Sequence, residues 1–247
     1  IRKRSPWIRS PSWRHRRAVR INPFLLTIYG LPLLFSACAT IYNPATQRQE
    51  TVLDSSIETA LGNLARAQMG LGSLKIGRVS PEEWSQVQRI GQRLALVSDR
   101  KDIPYQFGVV RDDTPNAFTL PGGTIYVHSG ILDRAIDDDT LAAVIAHEVG
   151  HVAARHAAKH LQADLGFTAL LHLAHAAGIG AESAQVADSM YDLFRRGYSR
   201  QDELEADRLA IRYTDRAGFD PKALVRFFEK MQAEEPPSPL DRAFVWQ

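Results

Sequence analysis

The sequence predicts an α+β domain, mainly helical with one small β-sheet, and three observations carry that prediction. Apolar residues recur at helical spacing in several separate segments, one short stretch alternates with period two and a second strand segment follows a Pro-Gly-Gly turn, and helix-start signals stand ahead of the helical segments. A chain of 247 residues with 45% hydrophobic and 23% charged residues is able to bury one substantial core, which excludes the disordered and fibrous classes.

Residues 1–37 carry eight Lys or Arg and no Asp or Glu, so the formal charge of +2 hides a remainder of 22 basic against 28 acidic residues. The positive excess therefore sits in a segment that reads as a signal peptide, and no nucleic-acid partner is expected. Its apolar run, Pro23 to Ala37, is broken by Gly30 and Pro32 and has the length of a signal core rather than a membrane span. The chain opens on Ile1, and a start at Val19 would leave an ordinary short signal. The run ends in Phe35-Ser36-Ala37-Cys38, similar to a bacterial lipobox with Phe in place of the usual Leu. That likeness makes Cys38 a lipidated N-terminus and Ala39 an outer-membrane signal, which places the chain in the bacterial periplasm. A free buried thiol is the other reading of this single cysteine.

Residues 38–50 are then a lipidated start and a polar tether without periodicity, and the folded domain spans 51–247. Leu53, Ile57, Leu61 and Leu64 share one helical face, with Gly70 as a stop. Ser80-Pro81-Glu82-Glu83 combines a cap, a first-turn Pro and a capping Glu ahead of Trp84, Val87, Ile90, Leu94 and Val97. Tyr105, Phe107 and Val109 alternate as in a strand, Asp112 to Asn116 turns the chain, and a second strand runs from Thr124 to His128 after Pro121-Gly122-Gly123. Asp137 to Thr140 caps a helix expected to continue to about Leu161. The apolar stretch 165–180 is too short to span a bilayer and reads as a core helix, and further helices are expected at about 200–216 and 221–233.

The long central helix carries His147-Glu148-Val149-Gly150-His151. Residues four apart are displaced by about 40° around a helix axis and one turn along it, so both imidazoles can face one ion. Neutral imidazole suits Zn²⁺, and Glu148 on the same side is placed to take a proton from water, as candidate general base. A shuffled chain of this composition would contain the pattern about 1% of the time, so chance is a poor rival. A hydrolytic site wants a third protein ligand and an open position. Glu203 and Asp207 share a face of the later Ser199 to Asp207 segment, which makes Glu203 the candidate third ligand and Asp207 the acceptor that orients a ligand histidine. A solvated acidic face paired with Arg200 and Arg208 is the plainer reading, and it is the one taken for Glu205. His156 lies about 180° around a continuous helix from His147. His128, His156, His160, His172 and His175 are assigned to no ion.

HEVGH, the ELEAD segment at 203–207 and NAFTLPGGTIYVHSGIL at 116–132 together resemble the HtpX and CAAX-prenyl-protease family of zinc metallopeptidases, closest to its bacterial envelope lipoprotein members of the BepA and LoiP type. The resemblance covers about residues 51–233. It implies a gluzincin fold, one Zn²⁺ per chain held by His147, His151 and Glu203, support from Asp207, and hydrolysis of peptide bonds in misfolded or unassembled envelope proteins. It also implies an edge strand after Pro-Gly-Gly, Gly123 with Thr124, Ile125, Tyr126 and Val127, that pairs with extended polypeptide by β-augmentation. Envelope assembly machinery is the implied partner. Asn116 resembles an asparagine that polarises the substrate carbonyl, and equally fits a residue that serves only the turn. Family members place a His-Pro segment after the last helix, and its lack before Gln247 implies a C-terminal truncation. The alternative function is a zinc-containing envelope chaperone or binding protein whose proteolysis is latent or absent.

Overall fold

The computed structural model describes residues 38–135, 137–166, 188–190, 192, 193 and 196–234. The expected signal segment 1–37 and most of the apolar stretch 165–180 lie outside the described residues. Among those described, no helix is long and apolar enough to cross a membrane.

A mixed sheet forms the middle layer, in the order β3 (Lys75–Ile76), β4 (Gln106–Val110), β6 (Thr124–His128), β5 (Ala117–Leu120). The first three strands run parallel, and β5 returns antiparallel on β6 through Pro121-Gly122-Gly123, where both glycines have positive φ. Because side chains alternate across a pleated sheet, Phe107, Val109, Ile125 and Val127 enter one core and Tyr126 and Leu120 the other. The first core lies under α2 (Pro81–Val97), α4 (Asp138–Ala154), α6 (Arg200–Arg216) and α7 (Ala223–Glu234). The second lies under α1 (Ser55–Gln68) and α5 (His156–Leu165). A short α3 (Ser129–Leu132) follows β6.

The capping signals place the helix starts as the sequence predicts. Ser80 and Glu83 form a reciprocal capping box on α2, and the Asp137 side chain accepts from the Thr140 backbone N–H at the start of α4. Every residue of α4 from Thr140 to Ala154 is buried, so this helix is the axis of the domain.

Two expectations are corrected here. Residues 39–50 are not a free tether: β1 (Cys38–Asn43) and β2 (Arg48–Leu53) form an antiparallel hairpin. Asn43 Nδ2 donates to the Ala153 carbonyl at 3.3 Å, and Lys159 reaches Glu50 at 2.7 Å, which seats the hairpin on the end of α4. Nor does the central helix continue to Leu161. Arg155 adopts the left-handed conformation (φ 62°), ends α4 and redirects the chain into α5. A non-glycine residue stays in that region only when its surroundings hold it there. Arg155 donates to Glu58 (2.8 Å), to Asp102 (3.1 Å) and to the Leu53 carbonyl (3.2 Å), while Arg100 binds Glu58 with both terminal nitrogens and donates to the Val152 carbonyl. Glu58, 2% exposed, bridges two buried guanidinium groups at the break, and Asp102 supplies the second negative charge.

The contact of α4 with α6 is close because position 150 is glycine. A Cβ at Gly150 would stand 2.9 Å from the Ala206 carbonyl oxygen and 3.2 Å from Leu209 Cβ.

Replacing Glu58 with Ala leaves two buried cations with only the half-exposed Asp102 as carboxylate partner and should lower stability by about 3–5 kcal/mol in chemical denaturation. Gly150→Ala must push α6 outward; we expect about 1–3 kcal/mol of destabilisation from overpacking, read as a lower Tm.

Candidate metal centre and active site

His147 and His151 project from α4 toward the first turn of α6, where Glu203 stands. That turn is fixed by a second capping box, in which the Ser199 hydroxyl accepts from the Asp202 N–H and the Asp202 carboxylate accepts from the Ser199 N–H. Carboxylates suit this end of the helix, where the dipole is positive. The close crossing at Gly150 then sets the reach of Glu203. His147 Nε2 lies 2.9 Å from His151 Nε2 and 3.2 Å from Glu203 Oε2, and His151 Nε2 lies 3.8 Å from the same oxygen.

These residues fit a zinc ion on their own geometry. A tetrahedral ion with bonds of about 2.0–2.1 Å spaces its ligand atoms by about 3.3 Å, a value the three distances bracket. All three donors belong to one group that can hold a metal, and Glu203 Oε2 is buried with no hydrogen-bond donor among the described residues. An orphaned buried carboxylate oxygen is costly unless a cation meets it.

The electrostatics separate the groups. Burial drives the Glu148 carboxyl up, helped by the Glu203 charge and opposed by His147, to about 7. Burial pulls His147 down, but its hydrogen bond to Asp207 and the nearby Glu203 and Glu148 carboxylates prevail and raise it to about 9. His151 is held well below the usual imidazole range by burial, then by His147 and His156. Asp207 Oδ1 sits 2.9 Å from His147 Nδ1, where the sequence places it.

Other expectations fare differently. Thr124 to Val127 is not an edge: β4 pairs with one side of the strand and β5 with the other, so its backbone groups are spent, and the strand is buried. Gly123 serves the turn, its carbonyl accepting from the Gln106 N–H. The outer strand beside α4 is β5. Asn116 O accepts from the His128 N–H, so hydrogen-bonded pairs fall at 116, 118 and 120. Alternation in an antiparallel ladder then turns the N–H and C=O of Ala117 and Thr119 away from β6. Asn116 is exposed at the start of this strand. His128, assigned to no ion, has its Nδ1 3.2 Å from the Thr114 carbonyl.

Sequence reading missed two neighbours of His151. His156, carried to the same side by the break at Arg155, has Nδ1 2.9 Å from His151 Nδ1. Tyr198, one residue before the α6 cap, stacks on the His151 ring at 4.1 Å with its hydroxyl buried. Glu205, read as solvated, lies 3.3 Å from His156 Nε2. The capping box at Ser199 is the one sequence signal that could have drawn attention to Tyr198, since it fixes where the chain meets the site.

Residues 81–243 match the sequence pattern of peptidase family M48. Among similar proteins, the mitochondrial metalloendopeptidase OMA1 of Schizosaccharomyces pombe is 37% identical over 150 residues, 60% of this chain and 44% of the yeast protein. The beta-barrel assembly-enhancing protease of Escherichia coli K12 is 30% identical over 156 residues, 59% of this chain and 32% of that protein. OMA1 of Saccharomyces cerevisiae is 38% identical over 132 residues, 52% and 37% of the two chains. The similarity thus spans less than half the length of each relative. On the extent of the family match, the chain belongs to peptidase family M48.

Proposed function

We propose that this chain is a zinc-dependent endopeptidase, a reading carried by one observation: two imidazoles and a carboxylate converge from α4 and α6, with the Glu148 carboxyl beside them. His147, His151 and Glu203 hold the metal, and Asp207 orients His147. Zinc, when bound there, supplies Lewis acidity and a water acidified toward neutrality. Glu148 takes the proton from the attacking water and delivers it to the leaving amine, a task suited to a buried carboxyl held beside the metal ligands. The surrounding burial keeps bulk water from competing for that proton.

Substrate enters as an extended segment along β5, where Ala117 and Thr119 offer main-chain hydrogen bonds that any sequence can accept. Asn116, at the head of the strand, is positioned to steady the substrate carbonyl. The proposed substrates are misfolded or unassembled envelope proteins, with envelope assembly machinery as partner. The lipobox-like Phe35-Ser36-Ala37-Cys38 supports a lipidated Cys38 at the periplasmic face of a bacterial outer membrane. Relatives named as a beta-barrel assembly-enhancing protease fit this setting, and the lipobox-like run is what favours it over the mitochondrial one of the OMA1 proteins.

Glu148→Gln is expected to keep zinc and fold while casein cleavage falls about 10²–10⁴-fold, because an amide cannot accept the proton. His147→Ala should lose the metal, measured by elemental analysis. Unchanged cleavage by Glu148→Gln rejects the mechanism; a wild-type protein that binds zinc and cleaves nothing points instead to a chaperone role. Ala117→Pro removes an outward N–H without touching the β5–β6 ladder, and should weaken cleavage of unfolded protein while zinc content stays at the wild-type level.

A further inference from the structure

The two histidine ligands are held from behind in different ways. A neutral imidazole that offers Nε2 to a metal carries its proton on Nδ1. For His147 that proton meets a carboxylate, Asp207 Oδ1. For His151 it meets another imidazole, His156 Nδ1, at 2.9 Å. His156 must therefore accept at Nδ1 and keep its own proton on Nε2, and this nitrogen faces Glu205 Oε2 at 3.3 Å and Asp202 Oδ1 at 3.4 Å. Every ring in the chain His151, His156, Glu205 thus has one consistent tautomer, with a carboxylate at the far end. Arg48 of β2 stands 3.9 Å from Glu205 on its outer side, and Tyr198 closes the other side by stacking on His151 and tilting against His156. His156 is 3% exposed, so water does not substitute for these contacts.

We infer that His156, backed by Glu205, is a positioning residue that fixes the ring orientation and tautomer of the zinc ligand His151. The inference rests on the zinc reading above. It also assigns a purpose to the left-handed turn at Arg155, since a continuous helix would carry His156 to the opposite side of the axis. Loss of such an outer partner weakens metal binding by about 10–100-fold.

The test measures zinc affinity of the full chain by competition with a chromophoric chelator. His156→Asn presents a carbonyl oxygen near the position of imidazole Nδ1 and keeps an acceptor for His151. His156→Gln is as polar but reaches toward Glu205 and leaves His151 Nδ1 without its acceptor. The expected result is affinity close to wild type for Asn and about 10–100-fold weaker for Gln, with matching circular dichroism of the metal-free proteins. Equal affinities for the two variants, whether both wild-type or both weakened, overturn the inference and leave the zinc site standing. Should His156→Gln not fold, His156→Leu takes its place with the same two outcomes. A wild-type chain that binds no zinc overturns the metal reading itself.

Discussion

The close crossing of α4 and α6 at Gly150 is the constraint on which the site depends. Two imidazoles come from one helix and a carboxylate from another, so their convergence is a matter of how near the two backbones lie. Gly150 sits between the two histidines, and the Ala206 carbonyl occupies the space a side chain would need. Ala206 in turn sits between Glu203 and Asp207, the two residues that meet His147. The contact that brings the helices together is therefore built into the same turns that carry the chemistry, and a shift of a few tenths of an ångström there is felt at all three donors.

A second constraint holds the far end of α4. The buried Glu58, Arg100 and Arg155 group joins α1, the segment before β4 and the helix break, and the β1–β2 hairpin donates Asn43 to the last turn. Buried ion pairs contribute little net stability against apolar packing, but they are strongly directional. Here they hold a left-handed arginine, and with it the angle at which α5 leaves α4.

Much of this was legible in the sequence because it is local. Ser80, Asp137 and Ser199 announce their helices through side-chain bonds within four residues, and the spacing of His147, His151, Glu203 and Asp207 survives in the structure because each pair lies on one unbroken helix. What was hidden is non-local. Nothing in Ala153-Ala154-Arg155-His156-Ala157 marks a break, since the groups that enforce it lie about 50 and 100 residues away at Asp102 and Glu58. Periodicity carried through that point put His156 on the wrong side. The strand at Thr124 to His128 was read correctly as a strand and wrongly as an edge, an implication carried over from the family resemblance, because a strand's own residues do not report the number of its neighbours. The hairpin at 38–53 escaped for a related reason: its strands show no clean alternation of apolar and polar residues and are held by contacts with α4 and α5.

The position of β5 at the rim of its sheet has a consequence for selectivity. A guest that completes a sheet by main-chain bonding must arrive with its own amides and carbonyls unclaimed, which a native segment has already committed to internal partners. With substrate docked on β5 as proposed, discrimination would turn on how much slack a polypeptide offers, and little on which side chains it bears. On the proposed docking, a protein that finishes folding would withdraw itself from the reaction without any signal being exchanged.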